Sequence, residues 1–328
     1  MQELVDDPPM KKVLITGITG FAGSHLADHL VSMKKYDVIG TYLLDQGISN
    51  VSEVKNEIEL FKIDLMSSGE CSTLIKKIKP DLVFHLAALP SPANSFKDPQ
   101  RTLTNNIIAE VNILNALKMN SLLDARVLII SSADIYGIVK KEDLPIDENT
   151  PLMPLSPYAV SKIAQDFLGL TYFLSYKLKI IRVRPFNHIG PRQSSHFVVS
   201  SFAKQIAEIE KGKRGSILRV GNLETKRDFT NVKDMVRAYI LAIEKGKYGE
   251  VYNIGSGISY KISDILSKLA SMSSSKIKIE RDEALSRPSD NPELLCDSGK
   301  FRQLTGWKPK ISIDTTLKDT LDYWRNII

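Results

Sequence analysis

Short apolar runs alternate with amphipathic segments through the first half of the chain. "KKVLITG" reads as a strand, and "FAGSHLADHLVSM" as a helix whose apolar residues recur at spacings of three and four. Further strands are expected at "DVIGTY", "IELFKID", "DLVFHLAA", "ARVLII" and "LKIIRVRP". Helices are expected at "CSTLIKKI", around "NIIAEVNILNALK" and over "SPYAVSKIAQDFLGLTYFLSY". Strands rich in Val, Ile and Leu with helices between them imply a parallel sheet covered on both faces, the doubly wound α/β pattern.

After Pro185 the alternation loosens. Loops around "NHIGPRQSS" precede a helix near "VVSSFAKQIAEIEKG" and a strand at "SILRVGN". "NVKDMVRAYILAIEKG" has the spacing of an amphipathic helix, expected over 231–246 to pack back on the first domain, and "GEVYNIG" reads as a strand. The expected division is a larger domain of residues 10–185 plus about 228–250, and a smaller α/β lobe of about 186–227 plus 251–328. Residues 1–9 read as an extension with no core role.

Composition changes this picture little. At 328 residues, with 43% hydrophobic and 25% charged, the chain matches an ordinary soluble globular protein. No apolar run approaches the ~20 residues of a membrane helix, and the acidic start "MQELVDDPPMKKVLITG" lacks the layout of a signal peptide. Cys71 and Cys296 match no metal or redox spacing, so a reduced cytoplasmic setting is expected. The net charge of +6 comes from lysines scattered beside acids, as in "KKEDLPIDE". That is a solvated surface rather than a nucleic-acid face, and it fits an anionic small-molecule substrate equally well. Neither nucleic acid nor membrane is expected as a partner.

Gly17, Gly20 and Gly23 follow the first strand and open the first helix as G-x-x-G-x-x-G. A tight turn and a Cβ-free approach let backbone N–H groups and a helix N-terminus hold a pyrophosphate. A dinucleotide loop is therefore expected, completed by Phe21 and Ala22. His25 and His29 lie four apart on this helix with no carboxylate ligand nearby, so no metal is expected. After the second strand, Tyr42, Leu43 and Leu44 offer neither an acid for a free ribose 2′-hydroxyl nor an arginine for a 2′-phosphate. NADPH and NADH both stay open. Asp64, ending the third strand, is either an acceptor for the adenine amino group or an ordinary loop acid.

Tyr158 and Lys162 form Y-x-x-x-K at a helix start, and residues four apart share a helix face. An ammonium beside the phenol would lower its pKa from the ordinary value near ~10. The phenol would then exchange a proton at neutral pH. Upstream, "SSADIYG" (Ser131 to Gly137) sits where the strand "RVLII" ends.

"TGITGFAG", "HLAA", "SSADIYG" and "PYAVSK", in this order, resemble the extended short-chain dehydrogenase/reductases that act on nucleotide sugars. The resemblance covers nearly the whole chain after Met10. It implies a Rossmann domain that binds NAD(P) and a lobe that binds the nucleotide sugar. It makes Ser132, Tyr158 and Lys162 catalytic, with Ser132 touching the substrate's hydroxyl or keto oxygen and Ser131 its structural neighbour. Asp64, Leu65, Leu86, Ala87, Ala88, Pro185 and His188 would line the cofactor together with the glycine loop, Tyr158 and Lys162. His85 reads as a strand-end packing residue, and His188 as either a nicotinamide neighbour or a residue packed under its loop. A homodimer through the long helices near 100–118 and 157–176 is also implied, although those apolar faces fit ordinary core equally.

"RPFNHIGPRQ", "FVVSSFAKQI", "VGNLETKRDFTNVKD", "VYNIGSG" and "RPSDNPELL…TGWKP" resemble the GDP-mannose branch of that family. The implied substrate contacts are Ser132, Asp134, Asn187, Val198, Lys204, Arg227 and Arg287. The two arginines suit the diphosphate or the sugar through their planar forks. Dehydratases of the branch carry a glutamate base two residues before the "YG" tyrosine, where this chain has Asp134, one methylene shorter. Phe21-Ala22 replaces their usual Gln-Asp, and their basic cluster after the second strand is missing. These departures imply a reductase that takes a GDP-linked 4-keto-6-deoxy sugar, converting GDP-4-keto-6-deoxy-D-mannose to GDP-D-rhamnose with NADPH or NADH. A GDP-mannose 4,6-dehydratase, a nucleotide-sugar epimerase and a non-catalytic NAD(P)-binding protein are the alternatives.

Overall fold

The first strand shows how the large sheet is covered. In a computed structural model, which describes residues 10–285 and 291–328, β1 (Lys11–Thr16) buries its last four residues. Val13 and Ile15 face one core and Leu14 the other, so the strand is interior on both sides. The chain continues through α1 (Phe21–Ser32), β2 (Tyr36–Tyr42), β3 (Ile58–Lys62), α2 (Ser68–Ile78), β4 (Leu82–His85), α3 (Pro92–Lys97), α4 (Pro99–Met119), β5 (Arg126–Ile130), α5 (Pro157–Tyr176) and β6 (Lys179–Pro185). Then follow β7 (Asn187–Ile189), α6 (Val198–Glu210), β8 (Ile217–Val220), β9 (Lys226–Asn231), α7 (Val232–Lys245) and β10 (Val251–Ile254). The last stretch holds β11 (Ser259–Lys261), α8 (Ile262–Ser271), β12 (Lys278–Arg281), β13 (Glu293–Leu294), α9 (Gly299–Thr305) and α10 (Ile313–Ile327).

Seven strands pair in parallel in the order β10-β6-β5-β4-β1-β2-β3. The chain winds outward from β1 in one direction and from β4 in the other, so the order reverses between them. That reversal opens a crevice at the C-terminal ends of β1 and β4. α1 and α7 cover one face, and α2, α4 and α5 the other. α7 buries Val232, Met235, Val236, Tyr239, Ile240 and Ile243, a row at helical spacing.

β10 corrects the expected domain boundary near 250. Val251 pairs with Arg182 of β6, so the edge strand of the large sheet lies beyond that limit. Phe301 and Trp307 also enter the core beneath α7. α7 serves as the crossover from β6 to β10, a continuity that no change of composition marks. The stretch expected as loop around Asn187 holds β7, which forms by pairing with β9.

A third core, from Ile189, Phe202, Ile206, Phe229, Leu266 and Leu317 among others, gathers α6, α8 and α10 on two small sheets. Arg287 and residues 1–9 lie outside the described residues. Among the described residues no helix is long and apolar enough to cross a membrane.

Asp228 of β9 ties these parts together. Fully buried, it accepts from the backbone N–H groups of Ser256 (2.8 Å), Gly257 (2.8 Å) and Cys296 (3.2 Å), and from the Ser256 hydroxyl (2.6 Å). Asp228→Ala should leave three backbone donors without a protein partner and destabilise by about 3 kcal/mol. A lower urea midpoint at unchanged m would show it; an unchanged midpoint would contradict it.

Candidate active site

At the end of β5 the Ser131 N–H donates to the Val183 carbonyl at 2.8 Å, carrying the ladder one residue past the strand. Ser132 is extended, and its Oγ accepts the Asp134 N–H at 3.1 Å, capping a tight turn over Ala133–Tyr136. Tyr136 is buried, donating to Asn253 Oδ1 (2.7 Å) and accepting from Arg184 Nη1 (3.0 Å). Gly137 has φ +52°, and an added Cβ would stand 1.7 Å from the Met153 carbonyl oxygen. The second half of "SSADIYG" is therefore held by packing, and Ser131 Oγ donates to the Lys162 carbonyl at 3.1 Å.

α5 begins beside this turn because Ser156 caps it, accepting from the Ala159 N–H at 3.1 Å, and Pro157 fits its first position. Tyr158 thus falls in the first turn and Lys162 one turn later, both buried. The Ser132 hydroxyl lies close enough to the Tyr158 phenol to act on its ionisation. Burial, and then the negative charge of Asp134, push the phenol's pKa up, while the Ser132 hydroxyl pulls it down. Lys162 Nζ donates to the Ile130 carbonyl and to Gln165 Oε1, both at 2.8 Å. Burial brings its pKa down to about 8. The expectation that this ammonium lowers the phenol is corrected. Its donors turn to β5 and Gln165, and burial outweighs every other influence on Tyr158.

The glycine loop meets β4's end in the crevice. Gly17 has φ +71°, and a Cβ there would lie 3.0 Å from Ala87 Cα, while a Cβ on Gly23 would lie 2.4 Å from the Gly17 carbonyl oxygen. The loop therefore sits directly on Ala87. Thr16 Oγ1 accepts from the Ala87 N–H (3.2 Å) and lies 3.0 Å from His85 Nδ1. Burial brings the His85 pKa down to about 3, so its ring is neutral. α1 starts at Gly20 with no side-chain cap, leaving the first-turn N–H groups of Phe21, Ala22 and Gly23 for an anion. The Phe21 ring stacks on His188 at 5.6 Å and 6°, and His188 Nδ1 lies 3.2 Å from the Phe186 carbonyl. Asp64 Oδ1 accepts the Met66 N–H at 2.9 Å, Leu65 is buried, and Pro185 ends β6.

The lobe-side candidates are partly brought together. Asn187 on β7 stands opposite Phe229 of β9, and the buried Arg227 lies two residues earlier on β9. Arg227 Nη1 donates to the carbonyls of Lys226 and Asn291, both at 2.8 Å. Val198 is exposed at the start of α6. Lys204 pairs with Glu208 at 3.5 Å and lies over the Trp324 ring at 5.8 Å. Asp134 is near enough to Tyr158 for its charge to act there.

Three residues around Lys162 escape the sequence reading. Gln165 Nε2 donates to the Asn106 carbonyl (2.9 Å), and Asn106 Nδ2 donates to Ser161 Oγ (2.9 Å). Glu110 is fully buried beside them. The signal was present: Asn106 and Glu110 fall in the buried row of α4 with Ala109, Ile113, Leu114 and Leu117, polar among apolar.

Two neighbouring hydroxyls, of Ser132 and Tyr158, and the buried Lys162 ammonium form a set that can hold a carbonyl oxygen and exchange a proton with it. A family model described as GDP-mannose 4,6 dehydratase matches residues 14–320. The GDP-6-deoxy-D-mannose reductase of Pseudomonas aeruginosa is 33% identical, covering 96% of this chain and 98% of that protein. The GDP-mannose 4,6-dehydratase of Yersinia enterocolitica is 28% identical, covering 93% of this chain and 91% of that one. The solved structure of RMD from Pseudomonas aeruginosa complexed with NADPH superposes with a TM-score of 0.84 at 32% identity, covering 97% of this chain and 100% of that chain. The chain belongs to the GDP-mannose 4,6 dehydratase family.

Proposed function

We propose that the protein reduces the C4 ketone of GDP-4-keto-6-deoxy-D-mannose to GDP-D-rhamnose, using NADPH or NADH. The observation that carries this reading is the Ser132 hydroxyl beside the buried Tyr158 phenol, with Lys162 one helical turn away and the short acid Asp134 close by. Similarity to the Pseudomonas reductase and to the NADPH-bound structure supports it.

The crevice fits the cofactor: Gly17 and Gly20 keep the loop free of side chains, and the uncapped start of α1 receives the pyrophosphate. Leu86–Ala88, Asp64, Leu65, Pro185 and His188 would line it. The bound reduced nicotinamide supplies the hydride that forms the new C–H bond at C4. Ser132 and Tyr158 hold the ketone oxygen, and Tyr158 gives its proton to that oxygen as negative charge develops. In the resting site the donors of Lys162 turn to Ile130 and Gln165, and burial keeps the phenol raised. On this reading the cationic Lys162, one helical turn away, offsets the negative charge only once the phenolate forms. Asn187, Val198, Lys204, Arg227 and Arg287 would receive the sugar nucleotide. A homodimer through α4 and α5 is supported by Val160, Phe167 and Leu174, an exposed apolar row seven residues apart on α5.

Asp134 favours a second reading, a 4,6-dehydratase, because it sets a carboxylate close enough to act on Tyr158. Product analysis separates the two. GDP-mannose alone should remain unchanged, whereas GDP-mannose with a supplied dehydratase and reduced cofactor should yield GDP-D-rhamnose. Accumulation of the 4-keto-6-deoxy sugar from GDP-mannose alone would establish the dehydratase instead. Tyr158→Phe should lower turnover about 10²–10⁴-fold while NADPH binding, followed by fluorescence, is largely kept. Retained turnover would remove the phenol from the mechanism.

A further inference from the structure

Glu110 is fully buried on α4, and neither carboxylate oxygen has a hydrogen bond of normal geometry. An isolated carboxylate in such a place is strongly disfavoured, so it needs a cation or a proton. Among the described residues, the cation whose charge acts on it is Lys162. From α5, Lys162 attracts it and Asp166 repels it, while Gln165 and Tyr172 lie close by. Asp166 is taken by Arg182 (2.5 Å) and Arg184 (2.8 Å) of β6. α2 brings Cys71, whose thiol burial pushes up to about 11, and α3 brings only the exposed Lys97. His85, whose pKa burial and then the Lys162 charge bring down to about 3, is neutral at neutral pH. Lys162 gives two of its three N–H groups to Ile130 and Gln165.

We propose that Glu110 is the counter-carboxyl of Lys162 and a positioning residue for the reaction: as pH rises, the pair loses its first proton from Glu110, so the ammonium stays charged. The proposal rests on the reading that Lys162 must be cationic beside Tyr158. Burial pushes the Glu110 carboxyl well above the usual range, and the charge of Lys162 pulls it back. On the proposal, the carboxyl of the pair holds its proton beside the ammonium until pH rises. Loss of one proton from the carboxyl O–H leaves an ion pair rather than two neutral groups. The Lys162 pKa of about 8 already includes the upward pull of Glu110, so without the carboxyl burial would take the ammonium's pKa lower still.

Glu110→Gln keeps the shape and removes the titration. The alkaline limb of kcat/KM for keto-sugar reduction should move to lower pH by about one unit, about a tenfold loss on that limb. Glu110→Asp should bring it part of the way back. A folded Glu110→Gln protein whose profile superposes on that of the unaltered enzyme would overturn the proposal. Infrared difference spectra of the unaltered protein give a readout independent of turnover and of variant folding. A buried carboxylic-acid C=O band should bleach between neutral and alkaline pH, and no bleaching band would also overturn the pairing. A bleaching band in a protein with no keto-sugar reduction would reject the proposed function and leave the pairing standing. Reduction without the band would do the opposite.

Discussion

An ammonium taken out of water is tolerated only where carbonyls, amides and opposite charge meet it, and Lys162 fixes the geometry around itself for that reason. Its Nζ reaches the Ile130 carbonyl at the end of β5, and its own backbone carbonyl accepts from Ser131 Oγ at 3.1 Å. Side chain and backbone of one residue thus pin α5 to the same strand end. With that register fixed, the residue one turn earlier, Tyr158, has to stand beside Ser132. Gln165 and Ser161 carry the same constraint to α4 through Asn106, whose Oδ1 also accepts the Leu89 N–H at 2.7 Å beyond β4. The hydroxyl pair and the cofactor crevice are therefore parts of one hydrogen-bonded frame.

That frame explains what could be read from the sequence. Strands buried on both faces have to be runs of Val, Ile and Leu, and the helices covering them have to show a stripe, so β1 to β6 with their main helices were legible. The glycine loop was legible because only glycine fits Gly17 at φ +71° against Ala87. β7 and β13 have three and two residues and exist by pairing with β9, which leaves no periodicity to detect. The spacing of Tyr158 and Lys162 gave their common face but not the direction of Nζ, because that depends on Gln165 and the end of β5. Burial, which sets the phenol's shift, arises only when the helix meets the sheet.

Asp134 acquires a different meaning from this electrostatic setting. On the sequence it stood as a shortened base, judged by reach. In the structure its charge and the burial of Tyr158 act in the same direction, both holding the phenol protonated. For a proton donor the shift changes occupancy little, since a tyrosine with an ordinary pKa near ~10 is already protonated at neutral pH. For a proton acceptor the same shift removes most of the phenolate that an oxidation of C4 has to start from. A dehydratase begins with that oxidation, whereas a reductase begins with the loaded phenol. On the proposed reading, burial first and the Asp134 carboxylate second keep the phenol loaded, which biases the site toward reduction.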